Sequence, residues 1–191
     1  MPNWCNNSVT VTHSDPAKLQ ALVEAVNAGR FCDFVIPTPK DLQITSGFSG
    51  DAEEQAALEL KGQSNLEEYG FRDWYDFQVS RWGTKWDVEA YDRVEFDPAG
   101  VTFGFDSAWS PPIGVYEALV EQGFSVTAFY YEPGMCFAGK WSDEDGDQYF
   151  EIGDLTAERV RELLPQDLDD VMAISENLEM WEEDQEELDN E

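Results

Sequence analysis

The sequence predicts an α+β protein: a mixed or antiparallel sheet packed on helices, followed by an acidic helical extension. Three observations predict it. Apolar residues alternate with polar ones at Ser8–His13 and again between residues 86 and 105, the period of half-buried strands. Two segments, 15–29 and 110–123, combine helical apolar spacing with start and stop residues. After Gly153 the composition shifts to acidic helical sequence, and no basic residue follows Arg161.

Taken in order, Val9, Val11 and His13 share one face of the first strand. SDPAKLQALVEAVNAG then offers Asp15 as N-cap, Pro16 at the first helical position, Leu19, Leu22, Val23 and Val26 on one face, and Gly29 as terminator, the start and stop chemistry of a helix. FCDFVIPTP reads as a second strand closed by Pro37 and Pro39, which cannot extend a ladder. Residues 40–83 read as a helical insertion: a loop, a short helix in AEEQAALELKG, and a further helix from Leu66 ending at Gly83. WDVEAYDRVEF and VTFGFDSAW alternate and predict a hairpin over 86–107. SPPIGVYEALVEQG predicts a helix with Ser110 as N-cap and Gly123 as stop. FSVTAFYYEPGMCFAGKW predicts strand, turn and strand, and SDEDGDQ turns the chain into YFEIG. Beyond Gly153, Val160, Leu163, Leu164, Leu168, Val171, Met172, Leu178 and Trp181 recur at helical spacing, with Pro165 separating two helices. Like charges predict fraying from Glu182 to the end. The division is a 1–153 domain and a 154–191 extension.

The chain has 41 acidic and 11 basic residues among 191, a formal net charge of -30. Such a surface repels phosphates and anionic membranes and attracts basic proteins, so direct nucleic-acid binding and membrane binding are not expected. No stretch approaches the roughly 20 apolar residues of a spanning helix, and the expected location is the cytoplasm. Cys5, Cys32 and Cys136 are odd in number and widely spaced, which predicts reduced thiols and no disulfide or zinc framework.

His13 is the single histidine; without a serine or cysteine motif it reads as a partly buried or capping residue. Asp143, Asp145, Asp147, Glu151 and Asp154 fall at positions 1, 3, 5, 9 and 12 of a calcium-loop pattern, yet glycine sits at position 4, glutamate is missing from 12, and the flanks read as strands. A solvated hairpin turn is the expectation, with no metal and no cofactor. No phosphate-binding glycine loop is present. RWGTKWD, residues 81–87, reads as a helix end with tryptophans closing the core, Trp86 in phase with Val88 and Ala90, and Arg81 complementing the helix dipole.

Four ordered motifs, MPNWCNN, RWGTKWD, FDSAWSPP and EPGMCFAG, resemble the phage- and plasmid-encoded Api-type family of unknown function over residues 1–153. The resemblance implies a ferredoxin-like split β-α-β sheet for residues 84–153 and a mobile element of a bacterial host as origin. It assigns no catalytic residues.

These readings point to a non-enzymatic protein that binds a basic, nucleic-acid-binding host protein as a DNA mimic inhibiting a defence or restriction factor. Duplex DNA carries one charge per about 1.7 Å, so 30 charges match about 50 Å of duplex, comparable with the span of a compact chain whose radius of gyration is about 16 Å. The expected contact surface has two parts. One is Asp143, Glu144, Asp145 and Asp147. The other is Glu176, Glu179, Glu182, Glu183, Asp184, Glu186 and Glu187. Two alternatives stand beside it: an accessory or regulatory binding module whose acidity serves solubility, and a carboxylate-dependent metal hydrolase using the acids of 143–154.

Overall fold

A computed structural model describes residues 3 to 189, and of residues 186, 187 and 189 only the backbone. Five strands form one antiparallel sheet: β1 (Trp4–Thr12), β2 (Val101–Ala108), β3 (Ser125–Glu132), β4 (Phe137–Ser142) and β5 (Gly146–Glu151), in the order β2-β1-β3-β4-β5. Because β1 runs antiparallel to both β2 and β3, those two strands are parallel with β1 between them. Helix α5 (Ile113–Glu121) connects them. The split strand-helix-strand unit is therefore completed by the N-terminal strand, which lies outside residues 84–153. The result is a ferredoxin-like α+β sheet packed on helices.

Odd-numbered β1 residues and their partners form the first face. Val9 and Val11 meet Val101, Phe103, Phe105, Val126 and Ala128, all buried under α1 (Pro16–Asn27), α2 (Phe31–Val35) and α5. The start of α1 is as the sequence predicts: Asp15 accepts from the Ala17 amide at 2.9 Å. His13 Nδ1 accepts from the Asp15 amide at 2.8 Å and its ring lies 4.5 Å from that of Phe124, a structural role.

Four elements differ from expectation. Residues 31–35 are a helix. Phe31, Cys32 and Val35 are buried and Phe34 is exposed, a spacing that one turn cannot distinguish from a strand run. The deciding partner is distant: the Asp87 carboxylate accepts from the Cys32 and Asp33 amides at 2.7 and 3.0 Å and caps the helix. The segment 86–96 makes no hairpin with β2, which pairs with β1 instead; only an Ala90–Phe105 bridge remains. Its backbone is satisfied by side chains, Asn27 exchanging two hydrogen bonds with Val94. The helical run in 40–83 is α3 (Ala52–Tyr69) and α4 (Trp74–Arg81), separated because Gly70 adopts φ 78° and Asp73 caps α4 through the Tyr75 and Asp76 amides. Ser110 does not cap α5. Its hydroxyl donates to the Gly83 carbonyl, while Pro112 holds the cap position.

The second face is covered over β3 to β5. Phe129, Tyr131, Ala138, Phe150 and Ile152 pack against Val160, Leu164, Leu168, Ile174 and Leu178 from α6 (Ala157–Leu163), α7 (Gln166–Met172) and α8 (Ile174–Asp189). Pro165 does separate α6 from α7. Fraying from Glu182 is not observed up to Asp189; the helix continues, and residues 190 and 191 lie outside the described ones. Leu163, Val171 and Trp181, expected on the apolar stripe, are exposed. No helix among the described residues is long and apolar enough to cross a membrane.

Candidate functional site

The acidic candidates fall at two ends of the β4–β5 hairpin. Asp143, Glu144 and Asp145 form its exposed turn, where Ser142 pairs with Gly146 and the Ser142 hydroxyl accepts from the Asp145 amide. Asp147 is exposed as well, but it is engaged: it accepts from the buried Tyr130 hydroxyl at 2.7 Å. That contact needs Gly139, since a Cβ there would lie 2.2 Å from the Tyr130 oxygen. Burial, then Asp147, pushes the Tyr130 hydroxyl well above its ordinary range.

Helix α8 lies towards the other end. Glu182 accepts from the Ala157 amide at 2.9 Å and so satisfies the N-terminus of α6, which follows β5. Glu179 pairs with Arg161. Glu176, Glu183 and Asp184 are exposed and make no ion pair among the described residues. The side chains of Glu186 and Glu187 lie outside the described residues. Six residues of β5 span about 20 Å, which separates the turn from the end of the strand, near which Glu182 is engaged. The same strand separates Asp143, Asp145 and Asp147 from Asp154, and no group of three or more His, Cys, Asp or Glu among the described residues is placed to hold a metal ion.

RWGTKWD divides between core and surface. Trp82 is buried and donates to the Ile36 carbonyl at 2.9 Å, and buried Thr84 donates to the Ala108 carbonyl; this half is scaffold as expected. Trp86 is not on an inner face: it is 38% exposed. Its ring carries the Lys85 ammonium at 4.3 Å, which also lies 5.3 Å from the Trp109 ring and 5.6 Å from Tyr75. Trp4 stands 6.2 Å from Trp86. Trp4 and Trp109 are 45% and 40% exposed, so these rings form a surface ridge at one end of the sheet. Exposed tryptophans gathered together are the residues most enriched at binding hot spots.

A cavity opens at each end of this ridge. One, about 420 Å³, is lined by Trp4, Asp87, Glu89, Tyr91 and Asp106. Two of its three carboxylates are already engaged, Asp87 capping α2 and Asp106 accepting from Asn6 and Tyr91. Burial and then Asp106 push the Tyr91 hydroxyl up to about 12. The other, about 500 Å³, is lined by Trp109, Cys136, Phe137, Tyr149, Glu151 and Asp154, with Met135 at its edge. Trp109, Cys136 and Asp154 have φ of 71°, 55° and 58°, left-handed backbone that costs on the order of 1–3 kcal/mol each and persists only where the surroundings impose it. The Trp109 amide donates to the Asn3 carbonyl and the Ile152 amide to that of Cys136. Cys5 and Cys32 are buried and Cys136 is exposed, all as free thiols.

Sequence reasoning missed the ridge. The signal available was parity: Trp4 is in phase with Ser8 and Thr10, the polar side of β1. Trp109 ends the alternating run VTFGFDSAW in phase with Val101, Phe103 and Phe105, which points to a buried ring; its backbone at φ 71° leaves the strand instead and the ring is exposed.

No protein-family model matches the chain, and no curated protein matches it. Among solved structures, the protein api92 from Yersinia pseudotuberculosis matches with 11% sequence identity over 80% of this chain and 99% of that one, at a TM-score of 0.38.

Proposed function

We propose that this protein is a non-enzymatic binder of a basic protein surface, and that its partner is a nucleic-acid-binding protein of a bacterial cell whose phosphate-binding groove accepts carboxylates instead. The observation that carries the reading is the imbalance of charge: a formal net charge of -30 against five ion pairs among the described residues. Surface pairs of this kind contribute about 0–1 kcal/mol, so fold stability does not explain the display. A field of one sign raises the encounter rate with basic partners by orders of magnitude and falls with salt. The turn Asp143–Asp145 and the exposed carboxylates of α8 supply that field in this reading.

The test is capture from a bacterial lysate at about 0.1 M salt, followed by challenge with duplex DNA. The reading expects retained proteins to be nucleic-acid binders that duplex DNA displaces. Retained proteins that DNA leaves in place, or retention unchanged at about 0.5 M salt, would overturn it.

A further inference from the structure

We infer that the cavity between Trp109 and Tyr149 is a recognition pocket for an arginine side chain of the basic partner. The inference rests on the reading above that the partner is basic, and it adds the place where affinity is concentrated.

Two cavities adjoin the aromatic ridge, and their carboxylates distinguish them. In the cavity beside Trp4, two of the three carboxylates, Asp87 and Asp106, already accept hydrogen bonds from the fold, which leaves Glu89 alone without a side-chain partner among the described residues. In the cavity beside Trp109, Glu151 and Asp154 make no side-chain hydrogen bond or ion pair among the described residues. The walls are Trp109, Phe137 and Tyr149, the last two with ring centroids 5.3 Å apart and 31° between planes. Flat aromatic faces beside free carboxylates suit a guanidinium, which stacks through its plane while its N–H groups fork to carboxylate oxygens. The adjoining ridge already seats a cation of the molecule itself, Lys85 placing its ammonium over Trp86 and Trp109, the geometry of a cation–π contact. Burial, reinforced by Glu151, Asp147 and Glu132, holds the Tyr149 hydroxyl above its ordinary value, consistent with a negative field there. A volume of about 500 Å³ is ordinary for a site that buries a ligand group.

Cys136 supplies a readout, being the exposed thiol of the three and lining this cavity. The full chain is alkylated with maleimide while titrated with acetyl-Gly-Arg-Gly-Arg-Gly-amide, or with the same peptide carrying citrulline for arginine, at about 0.15 M salt. Mass spectrometry locates the modification. The arginine peptide is expected to slow modification of Cys136 about tenfold and the citrulline peptide to leave it unchanged. Tyr149→Ala keeps the net charge and removes a wall; it is expected to abolish protection, and Tyr149→Phe to restore it. Equal protection by both peptides, no protection by either, or full protection in Tyr149→Ala overturns the inference. Capture of DNA-displaceable partners in the presence of that failure would leave the wider reading standing. Loss of such capture with arginine protection intact would remove the wider reading and retain the pocket.

Discussion

At the aromatic end of the sheet, exposed rings stand on backbone fixed by strand pairing, by the Asn3–Trp109 hydrogen bond, and by buried polar groups. Asn7 donates to the Cys5 carbonyl and the Ser107 hydroxyl and accepts from Tyr116. Helix α8 is also exposed, but it is held through Ile174 and Leu178 and displays charge with little shape. The difference separates two physical tasks. A rigid aromatic surface governs how long a partner stays, whereas a flank of carboxylates governs how fast it arrives.

High pH should break the rigid end first and most severely. Burial raises the thiols of Cys5 and Cys32 and the hydroxyls of Tyr116 and Tyr130. Folded values above the unfolded ones mean that this contribution is intact below about pH 9 and is lost as pH rises, at about 1.4 kcal/mol per pH unit for each group titrating. Urea unfolding at a series of pH values should show stability falling steeply above about pH 9; a flat profile to pH 11 would contradict it.

Asn7→Ala strikes the same region by a different route. It leaves buried Ser107 and Tyr116 hydroxyls short of a partner and should cost about 3 kcal/mol, read as a lower urea midpoint. Asp87→Ala removes the acceptor for the first amides of α2 and should cost about 1–2 kcal/mol. Burial raises the Asp87 carboxyl above its ordinary value, opposed by those same amides, so Asp87→Asn should recover part of the loss.

On α8 the smallest effect is expected. Replacing Glu176, Glu183 and Asp184 by their amides should move stability by no more than about 0.5 kcal/mol. The same variant should slow association with a basic partner a few-fold and flatten its salt dependence, with dissociation unchanged. A change mainly in dissociation would reverse the roles assigned to the two regions.

What the sequence revealed follows the same division. The strand core at 8–12, the strands at 101–108, 125–132, 137–142 and 146–151 and the helix capped by Asp15 were legible because their patterning is local, whereas the start of β1 at Trp4 lies before the alternation begins. The helix at 31–35 was not, because its cap, Asp87, lies more than fifty residues along the chain. Nor was the failure of 86–96 to pair with β2, since β1 competes for that edge and Asn27 satisfies part of the displaced backbone. In the candidate site the acids were visible one by one, but that Asp147 accepts from Tyr130 and Glu182 from the start of α6 required the fold. Glu151 was noticed only as part of a calcium spacing, and its neighbourhood with Trp109 and Tyr149 arises from strand register that no local pattern encodes.

The central claim is that a basic partner is held at the aromatic end and steered by α8. Chemical-shift mapping of isotope-labelled protein during titration with the arginine peptide tests it most directly. The largest shifts are expected at the Trp109 indole N–H and at the amides of Tyr149, Glu151 and Asp154. Shifts confined to α8 and the Asp143–Asp145 turn would contradict the account.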